Sequence, residues 1–282
     1  MSGDRDPVFD RPVFILSPPR SGSTLLFETL TQGRGLFTIG GESHAVIEGL
    51  PALNVAQRGF DSNRLTQADA TPQTSEALRA RFLSQLRDRD GAPPKTTPVR
   101  MLEKTPKNAL RIPFLAEVFP EARFVYLHRD PRQVLASIIE AWGSGRFRTY
   151  PRLPGWVGTP WSLLLVPGWR DLIGKPVPEI AAAQWRIATE TLLADLRAVP
   201  RERLIACRYD ALNANWGAEI SRICDFHGLD WDLPLDGPLP LSRYTVSKPD
   251  PEKWRKHEAA IMALWPGLAA LAEEAEAFVS GL

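Results

Sequence analysis

The residue types best suited to chemistry stand in a short turn near the amino terminus. Residues 14–26 read FILSPPRSGSTLL, in which an apolar run passes through a turn of Pro, Ser and Gly into a helix-compatible run. Because the first turn of a helix has unpaired N–H groups and a positive dipole end, this segment is suited to bind an anion. The alternative is a serine-rich turn that only caps a helix. The turn residues able to touch a ligand are Arg20, Ser21, Gly22, Ser23 and Thr24.

This turn is not the nucleotide-triphosphate loop G-x-x-x-x-G-K-[ST], since the first glycine and the lysine are missing. It closely resembles the 5′-phosphosulfate-binding loop of sulfotransferases, which use 3′-phosphoadenosine 5′-phosphosulfate (PAPS) as donor. An arginine in place of lysine and the Leu-Leu pair after Ser-Thr are similar to bacterial and tyrosylprotein members. The resemblance implies PAPS as co-substrate, 3′-phosphoadenosine 5′-phosphate (PAP) as product, and the five turn residues as ligands of the 5′-phosphosulfate, with Arg20 close to the chemistry.

A second segment resembles the part of this family that binds the 3′-phosphate of the donor. Residues 124–137 read FVYLHRDPRQVLAS, with an arginine at the end of a strand and a serine eight positions later on the next helix. From Pro131 to Ser137 the helix rises about 9 Å, so Arg129 and Ser137 are able to share one phosphate. The alternatives are a salt bridge from Arg129 to Asp130, and a packing or surface role for Ser137.

Two further segments supply the groups that the reaction needs. Residues 101–108, MLEKTPKN, resemble the Glu-Lys-Thr-Pro segment of bacterial sulfotransferases, which implies that Lys104 stabilises charge on the bridging oxygen of the transferred group. We expect Lys107 to be a solvated loop lysine. Residues 40–44, GGESH, resemble the Gly-Glu-Glu-Thr stretch of tyrosylprotein sulfotransferases, and on that match Glu42 is the base. Because a carboxylate needs a raised pKa or a tightly positioned acceptor for this role, His44 is the alternative base, and a third possibility is neither.

Two weaker resemblances concern the nucleotide. Residues 208–212, RYDAL, look like a Tyr-Glu-Asp-Leu element of the family and imply that Tyr209 lies near the nucleotide; the alternative is a strand-end aromatic. Residues 247–254 occupy the place of the family's nucleotide-covering loop but lack its Gly-x-x-Gly-x-Trp-Lys form, and Lys248 is the residue expected to touch the 3′-phosphate or the transferred group. His128, His227 and His257 are expected to be packing or surface residues.

The elements that position these residues follow from hydrophobic spacing. Short apolar runs at 13–17, 99–103, 123–128 and 204–208 alternate with helical patterns at 24–30, 108–118, from 131 onward and at 181–196. Asp130 and Pro131 are typical of a helix start. This alternation predicts an α/β fold whose parallel sheet carries helices on both faces, and the resemblance implies the P-loop-kinase-like form of it. A last helix is expected over 261–278.

Two stretches interrupt the alternation. Residues 48–72 are predicted to be a loop with a short helix. Residues 143–178 form an insertion rich in Gly, Pro and aromatic side chains, among them Trp156, Trp161 and Trp169. It is expected either to line an apolar groove for a hydrophobic alcohol or phenol, or to pack a small core of its own. The arginines at 146, 148 and 152 leave open a basic cleft for an acidic peptide.

Composition sets the remaining bounds. The 282 residues are 44% hydrophobic and 24% charged, which indicates one globular domain over 1–282. A formal charge of +1 argues against nucleic acid as a partner, and no apolar run reaches the roughly 20 residues of a membrane span. Cys207 and Cys224 are expected to be free thiols, no Cys/His spacing predicts a metal site, and the polar amino terminus predicts a cytoplasmic protein.

Taken together, the sequence predicts a sulfotransferase that moves a sulfuryl group from PAPS to a hydroxyl of a small-molecule or peptide acceptor by in-line transfer. One alternative is a metal-dependent phosphotransferase that uses ATP. The other is a catalytically inactive nucleotide-binding protein of the same fold.

Overall fold

A parallel sheet organises the chain. The computed structural model describes residues 5–236 and 250–282. Over these residues a five-stranded sheet runs in the order β2-β3-β1-β4-β7, and each neighbouring pair in it is parallel. Strands β5 and β6 form a separate antiparallel ribbon inside the insertion. The strands are β1 (Val13–Leu16), β2 (Leu36–Phe37), β3 (Arg100–Lys104), β4 (Arg123–His128), β5 (Arg148–Tyr150), β6 (Trp161–Ser162) and β7 (Leu204–Arg208).

Helices follow most of these strands. The α-helices of the described residues are α1 (Ser23–Leu30), α2 (His44–Glu48), α3 (Pro72–Gln85), α4 (Ile112–Val118), α5 (Pro131–Ser144), α6 (Val177–Leu196), α7 (Tyr209–Ala214), α8 (Trp216–His227), α9 (Glu258–Leu264) and α10 (Ala269–Ser280). Short 3-10 helices lie at Pro51–Leu53, Gln67–Asp69, Pro106–Leu110, Trp169–Leu172, Arg201–Arg203, Lys253–His257 and Trp265–Gly267.

Alternation along the strands places a hydrophobic layer on each face of the sheet. Phe14 and Leu16 of β1 pack into a cluster built with α3, α4, α6 and α10. Their neighbours Val13 and Ile15 pack into a second cluster with α1 and α8. Successive side chains of a strand point to opposite faces, so a strand apolar at every position is buried on both. The predicted α/β fold with helices on both faces is confirmed.

Several boundaries differ from the predicted ones. The helical pattern at 108–118 divides into a 3-10 helix and α4, because Pro113 stands at the start of α4, where it is tolerated, instead of in a helix interior. The last helix divides in the same way near Pro266. The expected short helix in 48–72 is two 3-10 turns, while α3 directly after it was not predicted. The edge strand β2 was also not predicted, because a strand of two residues is too short to show an alternating hydrophobic pattern.

The carboxyl ends of the parallel strands meet at one edge of the sheet. Ile15 of β1 is level with Lys104 of β3, and Leu16 is level with Tyr126 of β4. His128 at the end of β4 is level with Arg208 of β7. The loops that follow β1, β3, β4 and β7 therefore emerge side by side, and ligands of open α/β sheets bind at this edge.

The insertion packs into a hydrophobic core that it shares with α5 and α6. Trp156, Trp161 and Trp169 of the insertion and Trp142 of α5 are in ring contact, and the rings of Trp156 and Trp161 meet edge to face with centroids 4.8 Å apart. Trp161 and Trp169 are fully buried. Packing thus accounts for Trp161 and Trp169, whereas Trp156 is only partly buried and the apolar groove stays a prediction.

Two expectations about the chain as a whole have direct outcomes. Cys207 and Cys224 are buried and free. In residues 5–236 and 250–282, no helix has both the length and the apolar composition that a bilayer crossing demands.

Candidate functional site

The turn between β1 and α1 has the backbone of an anion-binding loop. Arg20 and Gly22 adopt left-handed conformations, with φ of 69° and 100°, and no side chain caps the amino end of α1. Ser21 departs from its predicted role as a hydroxyl donor to a ligand, since its buried hydroxyl donates to the carbonyl of Pro18 at 2.9 Å. The backbone N–H groups at the start of α1 remain suited to bind an anion without the Ser21 hydroxyl.

Tyr209 packs directly on this turn. A Cβ added at Gly22 would lie 2.4 Å from Cε2 of the Tyr209 ring, so only glycine fits beneath the ring. The guanidinium of Arg129 lies 4.2 Å from the centroid of the same ring. Tyr209 is therefore a shared wall between the turn after β1 and the arginine after β4, and it begins α7 instead of ending a strand.

Arg20 and Arg129 lie side by side. Arg20 Nε donates to the Ser137 hydroxyl at 3.4 Å, and its guanidinium lies 4.5 Å from the ring centroid of Phe147. Arg129 donates to the side chain of Gln133 at 3.0 Å and to the carbonyl of Arg20 at 3.4 Å. Burial and the charge of Arg129 lower the pKa of Arg20, and burial lowers the pKa of Arg129. Two adjacent, partly desolvated guanidiniums make a site that favours an anion.

Asp130, the alternative partner of Arg129, pairs with other groups. Asp130 accepts from the backbone N–H groups of Arg132 and Gln133 at the start of α5, and pairs with the Arg132 guanidinium at 2.7 Å. Ser137 is half-buried and contacts Arg20 instead of Arg129. Arg129 therefore faces Tyr209 and the turn after β1, and its pairing with Ser137 on one phosphate stays a prediction.

Glu42, Lys104 and His44 form one contiguous group. Lys104 Nζ lies 2.7 Å from Glu42 Oε1 and 3.1 Å from the hydroxyl of Thr24. His44 Nε2 lies 2.7 Å from Glu42 Oε2. Lys104 is 2% exposed, whereas the side chain of Glu42 is 25% exposed and reaches solvent. The structure therefore brings the predicted base, its alternative and the predicted cation together beside α1.

The surroundings of Glu42 make it a weak base in this arrangement. Burial raises the pKa of its carboxyl, but the hydrogen bond from His44 and the charge of Lys104 outweigh burial and lower the pKa to about 2. The raised pKa that a carboxylate base requires is therefore absent while both partners are in contact. The other route, a tightly positioned acceptor, remains open to this geometry.

A buried carboxylate that the sequence reasoning missed lies next to this group. Glu103 is 1% exposed and accepts hydrogen bonds of 2.6 Å from Ser43, Thr105 and Asn108. Burial raises the pKa of Glu103, and the hydroxyl groups of Ser43 and Thr105 act in the opposite direction. Its position one residue before Lys104, as an acidic residue within a buried strand, is the signal that identifies it.

Lys107 is not the solvated loop lysine that the sequence predicted. It is 3% exposed, pairs with Glu48 at 2.7 Å and donates to the hydroxyl of Tyr150 at 2.8 Å. Arg111 joins the same carboxylate at 2.7 Å. Burial lowers the pKa of Lys107 to about 8 even though Glu48 acts to raise it. The prediction failed because the partners lie 59 and 43 residues away in the chain, beyond any local pattern.

The other predicted residues have plain outcomes. Lys248 lies outside the described residues. His227 is fully buried, and burial lowers its pKa to about 3. His128 is buried with its Nε2 3.2 Å from Glu276. Both histidines are packing residues, as expected.

Comparisons with known proteins agree on one family. A sequence model described as "Sulfotransferase family" matches residues 12–233. A protein of Caenorhabditis briggsae described as "Putative protein-tyrosine sulfotransferase" is 26% identical over 132 residues, which are 47% of this chain and 44% of that protein. The match thus covers less than half of the relative's length.

Two solved structures share the architecture over nearly the whole chain. A sulfotransferase from Alicyclobacillus acidocaldarius has a TM-score of 0.53 at 14% identity, with 97% of each chain covered. The sulfotransferase domain of an olefin synthase from Synechococcus PCC 7002 has a TM-score of 0.51 at 21% identity, with 95% of each chain covered. At these identities the likeness shows the fold.

Proposed function

Because the chain belongs to the sulfotransferase family, we propose that it transfers the sulfuryl group of PAPS to a hydroxyl of a small-molecule or peptide acceptor. One observation carries the proposal. Three cations, Arg20, Arg129 and Lys104, gather with the carboxylate of Glu42 at the carboxyl edge of the sheet, around an uncapped helix end. A donor with two separate anionic groups needs such cations, and a hydroxyl acceptor needs such a carboxylate.

In this proposal the donor binds through two groups of residues. The turn after β1, with the backbone at Gly22 and the side chains of Arg20, Ser23 and Thr24, holds the 5′-phosphosulfate. Arg129 and Ser137 hold the 3′-phosphate. The contact of 3.4 Å between Arg20 Nε and the Ser137 hydroxyl supports this assignment, because it places the two groups of residues next to each other, as two anions of one ligand require. Tyr209 lies between them and provides an aromatic wall.

The chemical step assigns one role to each remaining residue. PAPS supplies an activated sulfuryl group. The acceptor hydroxyl gives its proton to Glu42 while its oxygen forms a bond to sulfur, and the bond between sulfur and the phosphate oxygen breaks. PAP leaves with the electron pair of that bond, and Lys104 stabilises the negative charge on the leaving oxygen.

The contact between Lys104 and Glu42 adds a condition to this mechanism. While His44 and Lys104 both contact Glu42, the pKa of the carboxyl stays at about 2 and proton transfer to it is unfavourable. A donor that draws Lys104 towards its sulfuryl group would remove one of these two partners and raise the basicity of Glu42. The proposal therefore makes donor binding the event that prepares the base.

Calorimetric titration with PAP in the absence of metal tests the proposal. We expect micromolar binding of PAP, and at least about tenfold weaker binding of adenosine 5′-phosphate, because a lost charge-assisted contact costs about 1.4 kcal/mol or more. Arg129→Ala should weaken PAP to the level of adenosine 5′-phosphate. Glu42→Ala is the matched control, because it faces the acceptor and should change PAP affinity by less than about threefold.

Titration with ATP and Mg²⁺ tests the competing function, which is a metal-dependent phosphotransferase. If ATP with Mg²⁺ binds and PAP does not, the chain is a phosphotransferase and the sulfotransferase proposal is wrong.

A further inference from the structure

We propose that Glu103 is a positioning residue, which holds the turn that carries Glu42 and His44 in register with Lys104. The inference rests on the proposed function, because it assigns that turn to the reaction. Glu103 does not touch the predicted ligand groups itself. It acts through Ser43, the residue between the two candidate bases.

Ser43 gives its hydroxyl to Glu103 instead of to its own helix. Ser43 is the cap residue directly before α2. The hydroxyl of a serine at this position ordinarily accepts a hydrogen bond from a backbone N–H in the first turn of the helix, yet Ser43 forms no such bond. Its hydroxyl donates to Glu103 Oε1 at 2.6 Å, and its backbone N–H donates to the Thr105 hydroxyl at 2.7 Å. Both groups of Ser43 are thus committed to the end of β3, and Ser43 is fully buried.

Two consecutive residues of the turn contact two consecutive residues of β3. Ser43 contacts Glu103, and the adjacent Glu42 contacts the adjacent Lys104. The segment before Ser43 is Gly40-Gly41, with Gly40 in a left-handed conformation, and glycines restrain the backbone poorly. The Ser43 contacts therefore fix the residue next to Glu42 to the end of β3.

The energetic cost of Glu103 also argues for a specific role. The carboxylate of Glu103 is 1% exposed and therefore loses its hydration, and the side chains of Ser43, Thr105 and Asn108 all donate to it. An apolar side chain would fill the same volume without that cost. What the carboxylate provides in addition is a fixed direction for Ser43.

A pair of matched variants separates positioning from general stability. Ser43→Ala removes the 2.6 Å bond between the turn and Oε1 of Glu103, whereas Asn108→Ala removes the 2.6 Å bond to Oε2 on the side away from the turn. Both variants delete one short bond to the same carboxylate. Only the first removes a side-chain contact of the segment that carries Glu42, which then keeps only the bond from the backbone N–H of residue 43 to the Thr105 hydroxyl.

Carbon NMR of the Glu42 carboxyl gives a readout that needs neither donor nor acceptor. With a pKa of about 2, the wild-type carboxyl should show no titration step above pH 4. In Ser43→Ala we expect a step between about pH 4 and 5, because Glu42 loses the fixed contacts that lower its pKa. Asn108→Ala should show no such step, although its melting temperature should fall at least as far.

Two further readouts complete the test. For transfer from PAPS to 4-nitrophenol, Ser43→Ala should lower kcat by about 10²-fold with KM for PAPS within about threefold, as expected for a misplaced group of the site. Glu103→Gln retains an acceptor oxygen for Ser43 and should keep the wild-type titration of Glu42, whereas Glu103→Leu should lose it.

The outcomes are distinct. If the Glu42 carboxyl of Ser43→Ala titrates as in the wild type, or if Asn108→Ala shifts it equally, Glu103 is a structural residue only and the inference is overturned. Failure of wild-type PAP binding would instead overturn the proposed function, since the carboxyl titration does not depend on it.

Discussion

At the scale of single residues, the feature that matters most is mutual neutralisation in the site. Lys104 and Glu42 would act on opposite ends of the reaction, yet they contact each other at 2.7 Å. His44 occupies the second oxygen of the same carboxylate. This arrangement explains why residue types alone did not decide the base. Both candidates are present, and the contacts of the carboxylate determine its basicity.

Removing the ammonium of Lys104 should raise the pKa of Glu42. In Lys104→Met the long side chain is kept and the charge is lost, so we expect an increase of about 1 to 2 units, as for the loss of an opposite charge in contact. Carbon NMR of labelled glutamate, with the Glu42 signal assigned by Glu42→Gln, measures it. Lys107→Met is the control, because that ammonium pairs with Glu48. An unchanged Glu42 signal in Lys104→Met would show that the ion pair does not set its pKa.

At the scale of elements, the junction of β1 and α1 decides whether an anion site exists. Gly22 has a φ of 100° and lies against the Tyr209 ring, which is carried by α7 after β7. Arg129, after β4, lies on the same ring. Three loops from neighbouring strands therefore meet on one aromatic side chain. The conformation of the turn and the position of Tyr209 depend on each other.

Gly22→Ala should disturb both the turn and the binding of PAP. An alanine at position 22 has an unfavourable φ and its Cβ overlaps the Tyr209 ring, whereas Gly40→Ala has a similar φ of 73° and, among residues 5–236 and 250–282, no atom within 4 Å of the added Cβ. Each variant loses about 1 kcal/mol to the left-handed backbone, and Gly22→Ala should lose further stability to the overlap. Urea unfolding of the two variants isolates that difference, and calorimetry should show PAP bound at least about tenfold more weakly by Gly22→Ala. Equal stability and equal PAP affinity in the two variants would contradict the role of this contact.

At the scale of the whole molecule, the insertion is joined to α6 by buried polar contacts. Gln184 of α6 accepts from the Trp142 indole at 2.9 Å and donates to the carbonyls of Ser162 and Leu164. The insertion in turn brings Phe147 to Arg20 and Tyr150 to Lys107. Its packing therefore supports two cations at or beside the candidate site.

Gln184→Met should weaken the attachment of the insertion. The new side chain has a similar volume and cannot pair with the indole N–H or the carbonyls, so we expect a loss of about 3 kcal/mol in the free energy of unfolding. Gln67→Met, on the exposed 3-10 turn, should cost less than about 0.5 kcal/mol. Urea unfolding followed by tryptophan fluorescence measures both. A loss in Gln184→Met no larger than in Gln67→Met would show that these hydrogen bonds do not hold the insertion.

The sequence by itself determined four of the five strands of the sheet, the helices α1, α5 and α6, and the residue types of the candidate site. Strands such as 123–128 and 204–208, and the start of α5 at Asp130 and Pro131, were predicted because short-range periodicity and capping encode them locally. The family followed from the contiguous strings at 14–26 and 124–137.

Only the tertiary structure decided the contacts between distant residues. Lys107 was expected in solvent and is buried on Glu48, Glu103 was overlooked and anchors Ser43, and the tryptophans of the insertion pack on one another. The partners in these contacts are separated by as many as 60 residues, and burial and pKa depend on them. Hydrophobic periodicity reports which face of an element is buried, but the charge that meets a buried side chain is set by how the elements pack.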